Sequence, residues 1–205
     1  MLKHCVGRFP GFWLLSAYLA VSGSHAPAQE LSIDEAVSAL RDGGYIILMR
    51  HANAPGELPT AGTAAPGNDN LERQLDEKGR NDARNFGATI KRLGIPISSV
   101  ERSPTFRTRQ TAELAGFTEI IVQDFLLEDG MVGVTPARLQ ALLEELNKKP
   151  TSGNRLLISH SGNIMASFPE LDPYIEQGEA LIIDPSKSDR ALIARIPITE
   201  WQTLP

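Results

Sequence analysis

Two apolar runs in this chain break off in the same way. Tyr45-Ile46-Ile47-Leu48-Met49 stops at Arg50-His51, and Arg155-Leu156-Leu157-Ile158-Ser159 stops at His160. Gly43-Gly44 precedes the first run and Ala52-Asn53-Ala54-Pro55-Gly56 follows it; Ser161-Gly162-Asn163 follows the second. Short apolar runs bounded by turn residues read as strands buried on both faces. In open α/β sheets, ligands gather where such strands end. Arg50, His51 and His160 therefore stand where a site is expected. The chain has four histidines. His4 and His25 fall in a segment read below as removed, which leaves only the two strand-end copies.

Residues 1–28 have the form of an export signal. Lys3 and Arg8 supply a positive start, and Phe12 to Val21 an apolar stretch too short to span a bilayer comfortably. Ala26-Pro27-Ala28 fits a small-x-small cleavage site before Gln29. The expected mature chain, residues 29–205, is one domain in the periplasm or outside the cell. Cys5, the single cysteine, leaves with the signal, so the mature domain has neither disulfide nor thiol chemistry. Without Lys3 and Arg8, 18 basic side chains face 25 acidic ones, a formal charge of −7. That acidity argues against a nucleic-acid or anionic-membrane partner, and no later run is long enough for a membrane span.

From Leu31 the chain alternates helix and strand. Ser32 with Glu35 forms a capping box for a first helix, with Ala36, Val37 and Leu40 on its buried face. Leu58 to Asn70 reads as a long surface loop. A second helix starts near Leu75 and ends at Gly94-Ile95-Pro96. Ile97 to Arg102 is a strand. Ser103-Pro104 opens a third helix to about Ala115, with Ser103 as N-cap and Pro104 at the first helical position. Glu119 to Gln123 is a strand, Thr135-Pro136 opens a fourth helix, and Ala180–Asp184 and Ala191–Ile196 are further strands. This alternation predicts a three-layer α/β/α sandwich around a mainly parallel sheet.

Ser103-Pro104-Thr105-Phe106-Arg107-Thr108-Arg109-Gln110-Thr111-Ala112 adds a further motif. Together with Arg50-His51 and His160 it resembles the histidine phosphatase superfamily, the phosphoglycerate mutase-like fold. That family has an Arg-His-Gly at its first strand, then a Ser-Pro segment with an arginine three residues after the proline and a Gln-Thr-Ala beyond. A late strand-end histidine completes the set. The resemblance implies that Arg50, His51, Arg107 and His160 line a phosphate pocket. It also selects Arg107 over its neighbours Arg102 and Arg109. Ala52 stands where the family most often has glycine, which predicts crowding beside the nucleophile. The acid segment Leu126-Leu127-Glu128-Asp129-Gly130 matches only loosely.

The residues suit such chemistry in their own right. A phosphomonoester carries about two negative charges at neutral pH. Guanidinium groups match its oxygens bidentately. His51, as a neutral imidazole, would attack phosphorus and form a phosphohistidine that water then cleaves. His160, protonated, would stabilise the equatorial oxygens. Asn53 and Ser161 are further candidate substrate contacts, and the N-terminus of the helix after Ser161-Gly162-Asn163 offers backbone N–H donors. Glu128 is the candidate proton donor to the leaving group, with Asp129 close behind. Two histidines without cysteine or metal-ligand spacing point to no metal and no cofactor.

The leading expectation is thus an exported, metal-independent phosphomonoesterase acting on a small phosphorylated substrate. A phosphomutase is disfavoured, because export separates it from glycolytic intermediates. A non-catalytic phosphate-binding domain is also disfavoured, since binding alone needs only the arginines.

Overall fold

The computed structural model describes Met1 and residues 30–128, 133–187 and 191–204. The expected export signal, Asp129 and Gly130 lie outside these. In chain order the elements are α1 (Ile33–Asp42), β1 (Ile46–Arg50), α2 (Glu77–Arg92), β2 (Ile97–Arg102), α3 (Phe106–Leu114) and β3 (Ile120–Val122). A 3-10 turn (Asp124–Leu126), α4 (Pro136–Leu146), β4 (Asn154–Ser159), α5 (Ser161–Ser167), β5 (Ala180–Asp184), β6 (Ala191–Ile196) and α6 (Ile198–Thr203) follow. The capping box at Ser32 forms, its side chain accepting from Glu35 while Glu35 reaches back. Thr135 caps α4, whose first turn holds Pro136.

One six-stranded sheet runs in the order β3-β2-β4-β1-β5-β6. β1, β2, β3 and β4 are mutually parallel. β5 is antiparallel to β1 and to β6, so it alone runs against the rest. The sheet is mainly parallel, as the alternation of elements predicts. Period-two alternation sorts its side chains into two cores. Ile47, Met49, Leu156, Ile158 and Ile182 pack with residues of α1, α2 and α6 on one face. Ile46, Leu48, Leu157, Leu181 and Ile183 pack with α4 and α5 on the other. A fully buried leucine or isoleucine contributes about 1.5–3 kcal/mol, so this double-sided burial fixes the register that aligns the strand ends.

Two elements differ from the sequence reading. α6 is an addition: its Trp201 is fully buried and meets Phe86 edge to face at 5.2 Å. The third helix starts later than the Ser-Pro signal indicates. Thr105 is its N-cap residue and makes no side-chain cap bond. Ser103 is fully buried and turned elsewhere, and the first N–H of α3, on Phe106, is instead accepted by Glu72 from the loop at 2.7 Å.

Candidate active site

The parallel register sets three strand ends side by side. Arg50 lies opposite Ser159, and Arg102 opposite Ile158. The ladder continues one residue past each strand: the His51 N–H donates to the Ser159 carbonyl and the Ser103 N–H to that of Ile158, both at 3.0 Å. His51, His160 and Ser103 therefore emerge at one edge of the sheet. The two imidazoles meet edge-on, with centroids 5.4 Å apart, and they are only 3% and 1% exposed.

Each imidazole is held in one tautomer. His51 Nδ1 is 2.8 Å from the Ala52 carbonyl. A carbonyl only accepts, so Nδ1 carries the proton and Nε2 keeps its lone pair. Burial pushes the His51 pKa down to about 3; the charges of Arg107, Arg50 and Arg73 add to this, and the bond to Ala52 opposes it. His160 is arranged the other way round. Arg107 Nη2 lies 3.0 Å from its Nδ1 and Ser103 Oγ lies 2.8 Å from its Nε2. A guanidinium only donates, so Nδ1 is bare and Nε2–H donates to Ser103. Burial, then Arg107, His51, Arg73 and Arg50, push the His160 pKa down to about 2. With the phosphate site empty this favours a neutral ring, because burial and the nearby arginines both oppose a further positive charge; the expectation of a protonated His160 concerns the site with phosphate in it.

The arginines are incompletely satisfied. Arg50 Nη1 donates to the Ile175 carbonyl at 2.7 Å, and its guanidinium carbon stands 5.7 Å from the exposed Tyr174 ring. The Nε groups of Arg50 and Arg107 are buried with no partner among the described residues. A buried unpaired donor costs about 1–3 kcal/mol, and an oxyanion could accept from both. Burial is also the main reason that both guanidinium pKa values fall below the usual arginine range.

The motif around Arg107 acquires separate physical roles. Thr111 Oγ1 donates to the Arg107 carbonyl at 2.8 Å and accepts the Ala52 N–H at 3.1 Å, tying α3 to the residue after His51. Gln110 Oε1 accepts the Leu75 N–H at 2.8 Å, and Ala112 is buried in the main core. The Ala52 side chain is buried in a small cluster with Ala54, Leu75 and Ala83.

Three further candidates are held by the fold. The Asn53 amide donates to Asp76 at 2.6 Å, and Asp76 caps α2. Gly79 in that helix is packed so closely on the Asn53 backbone that a Cβ would not fit. Asn53 thereby anchors the loop after His51. Ser161 opens α5 and is partly buried. The N–H of the next residue, Gly162, donates to Glu128 Oε2 at 2.8 Å, so that amide is already engaged by a side chain. Leu126 turns into the core, and the half-buried Glu128 meets α5 instead, within reach of the Arg50 and Arg107 charges.

Arg73 is a cation the sequence reading does not single out. Its Nε donates to the Pro55 carbonyl and its Nη2 to the Ala54 carbonyl, both at 2.7 Å, and its charge reaches both histidines. It closes a polar loop, and no periodicity distinguishes it from a solvated arginine. Among the described residues, no group of three or more His, Cys, Asp or Glu side chains is placed to hold a metal ion, and no helix is long and apolar enough to cross a membrane.

Comparison with known proteins gives the same architecture. The family model described as histidine phosphatase superfamily (branch 1) matches residues 46–131. No protein of curated function matches the sequence. Among solved structures, a putative phosphohistidine phosphatase SixA from Agrobacterium tumefaciens is 18% identical, with a TM-score of 0.52 over 75% of this chain and 98% of that one. A protein histidine phosphatase SixA complexed with tungstate is 22% identical, with a TM-score of 0.51 over 76% and 97%. A phosphoserine phosphatase from Entamoeba histolytica, solved as a mutant with phosphoserine, is 14% identical, with a TM-score of 0.53 over 76% and 98%. At these identities the likeness is one of fold.

Proposed function

We propose that this chain, whose residues 46–131 match the model of the histidine phosphatase superfamily (branch 1), is a phosphomonoesterase that works through a phosphohistidine on His51. The observation that carries this reading is the His51 ring: Nδ1–H is fixed on the Ala52 carbonyl, and a pKa of about 3 leaves Nε2 bare at neutral pH. Nε2 attacks phosphorus, the P–O ester bond breaks, and the leaving oxygen takes a proton from Glu128. Water then attacks the phosphohistidine, the P–N bond breaks, and its proton returns to Glu128, releasing inorganic phosphate. Arg50 and Arg107 hold the phosphoryl oxygens through N–H groups that include their unpartnered Nε donors.

The substrate class we infer is a small phosphate ester met after export. Fractionation, with a mature N-terminus at Gln29, tests the export step; an uncleaved intracellular chain sinks it. Turnover of p-nitrophenyl phosphate should survive chelators and be inhibited by tungstate, the ion carried by one related structure. Rapid quench should trap an acid-labile phosphoenzyme labelled on His51, and label on His160 overturns the assignment. Glu128→Gln should cost an alkyl phosphate roughly a hundredfold and the nitrophenyl ester much less, since phenolate leaves unaided. Equal losses on both esters remove Glu128 from the acid role.

A further inference from the structure

Ser103 occupies the place where an N-cap is expected, yet it caps nothing. It is fully buried, and its Oγ is 2.8 Å from His160 Nε2. It also lies 3.4 Å from the Thr105 N–H, and its carbonyl accepts from Thr108 Oγ1 at 2.7 Å. The hydroxyl is thus held in position on the far side of the imidazole from Arg107. We propose that Ser103 is a positioning residue: by accepting the Nε2–H it fixes His160 with a bare Nδ1, so that a phosphoryl group entering the pocket brings one proton, which Nδ1 takes.

This rests on the phosphate-site reading above and extends it to the protonation form of the substrate. Arg107 Nη2 touches His160 Nδ1, so an oxygen gripped by Arg107 lies beside that nitrogen. A lone pair facing an oxyanion is repulsive, whereas an N–H there is a charge-assisted hydrogen bond. The proton balance is explicit. Either the monoanion ROPO3H⁻ enters and passes its proton to Nδ1, or the dianion enters and one proton is drawn from solvent. Both give imidazolium beside ROPO3²⁻. The groups bearing on His160 are Arg107 from α3, His51 and Arg50 from the end of β1, and Arg73 from the loop before α2. Glu128 reaches the same turn through the Gly162 N–H. Four of these five oppose a positive His160 until a dianion offsets them.

Nitrogen-15 spectra of the histidine rings in the full chain, assigned with His160→Gln, test this directly. At pH 8 the free protein should show His160 protonated at Nε2 alone, and saturating inorganic phosphate should protonate Nδ1 as well. Calorimetry in buffers of different ionisation enthalpy should then report uptake approaching one proton per phosphate bound. An Nδ1 proton in the free protein overturns the proposal, and so does phosphate that fails to bind or binds without proton uptake. Ser103→Ala should populate both tautomers and lower kcat/KM for p-nitrophenyl phosphate roughly ten- to a hundredfold, the scale for groups that orient a working imidazole. Ser103→Thr, which restores the hydroxyl, should recover much of that loss. An alanine variant with the wild-type tautomer and full activity also overturns it. If phosphate binds with proton uptake but no ester is turned over, the phosphatase reading fails while this one stands.

Discussion

Polar groups gather at both ends of β4 and are treated in opposite ways. At its start, the Asn154 amide donates to the Leu40 and Pro96 carbonyls at 2.7 and 2.9 Å and accepts the Tyr45 N–H at 3.1 Å. Arg155 beside it meets Glu101 at 2.8 Å and Glu145 at 3.0 Å. Each polar group has its complement, and each arginine charge is matched by carboxylates. At its finish, Arg107 donates to an imidazole instead of a carboxylate, and buried Nε groups on Arg50 and Arg107 have no partner among the described residues. Satisfied polar groups lock α1, β1, β2 and β4 together. Unsatisfied ones hold a cation excess whose natural complement is an anion with several oxygens. The strand is an architectural clamp at one end and, on the proposed function, a receptor at the other.

The largest expected effect follows from the receptor end. His51→Ala should lower turnover on the order of a thousandfold or more, because no other described group combines a bare ring nitrogen with that position. Its unfolding midpoint should stay close to wild type. Steady-state kinetics beside urea denaturation reads both, and retention of a tenth of the activity would falsify the assignment. The clamp end should respond in reverse. Asn154→Ala strands the Tyr45 N–H and should cost about 3 kcal/mol of stability, the range for a broken buried polar network. Activity per folded molecule should stay within about twofold. A large kinetic loss with little change in stability would erase the distinction between the two ends.

How much of this was legible in the sequence follows from how local each signal is. Strand β1 and its terminal Arg50-His51 are visible because burial on both faces writes a continuous apolar run, and the Ser32–Glu35 box spans only three residues. The Thr135-Pro136 start is equally local. The Ser103-Pro104 signal misleads because the same hydroxyl can cap a helix or reach across to His160, and sequence spacing does not separate the two. Glu72 on the α3 N-terminus, Asn53 on Asp76 and Glu128 on Gly162 are long-range contacts between polar loop residues. No periodicity encodes them. The neutral state of His160 escapes for a related reason: it depends on burial and on four charged or titratable neighbours from three other parts of the chain.

Acid should act on the receptor end first. His51 and His160 have pKa values of about 3 and about 2, against about 6.5 in an unfolded chain. Their folded values are depressed, so the unfolded state binds more protons below pH 6.5. The stability held by keeping them neutral is full above that pH and is lost as the pH falls, by up to about 1.4 kcal/mol per unit for each histidine. Between pH 6.5 and 5 that amounts to roughly 2 kcal/mol apiece. Urea titrations at both pH values should show His160→Gln losing less than wild type by about that amount, and Asn154→Ala keeping the wild-type slope. A slope unchanged in His160→Gln would mean that this histidine is not held neutral by the fold.

The smallest effect concerns Arg73, which shares features of both ends. Like Arg155 it is anchored, through its bonds to the Pro55 and Ala54 carbonyls. Like Arg107 it adds positive charge that reaches both histidines. The Ala54 carbonyl also accepts the Gln177 amide at 3.1 Å, so the loop after His51 keeps a tie when Arg73 is removed. Arg73→Met retains the length and apolar stem but removes the charge and the donors. If the charge is its contribution, KM should rise about fivefold, roughly 1 kcal/mol, with kcat held, because a general field weakens ground state and transition state alike. Added salt should narrow the KM difference between the variant and wild type, since a partly exposed charge is screened. If anchoring is its contribution, kcat should fall instead, the unfolding midpoint should drop, and salt should leave the ratio between variant and wild type unchanged. Arg73→Lys separates the two further: it preserves the charge but cannot reproduce the two-carbonyl fork, so it should behave as wild type in the first case and as Arg73→Met in the second.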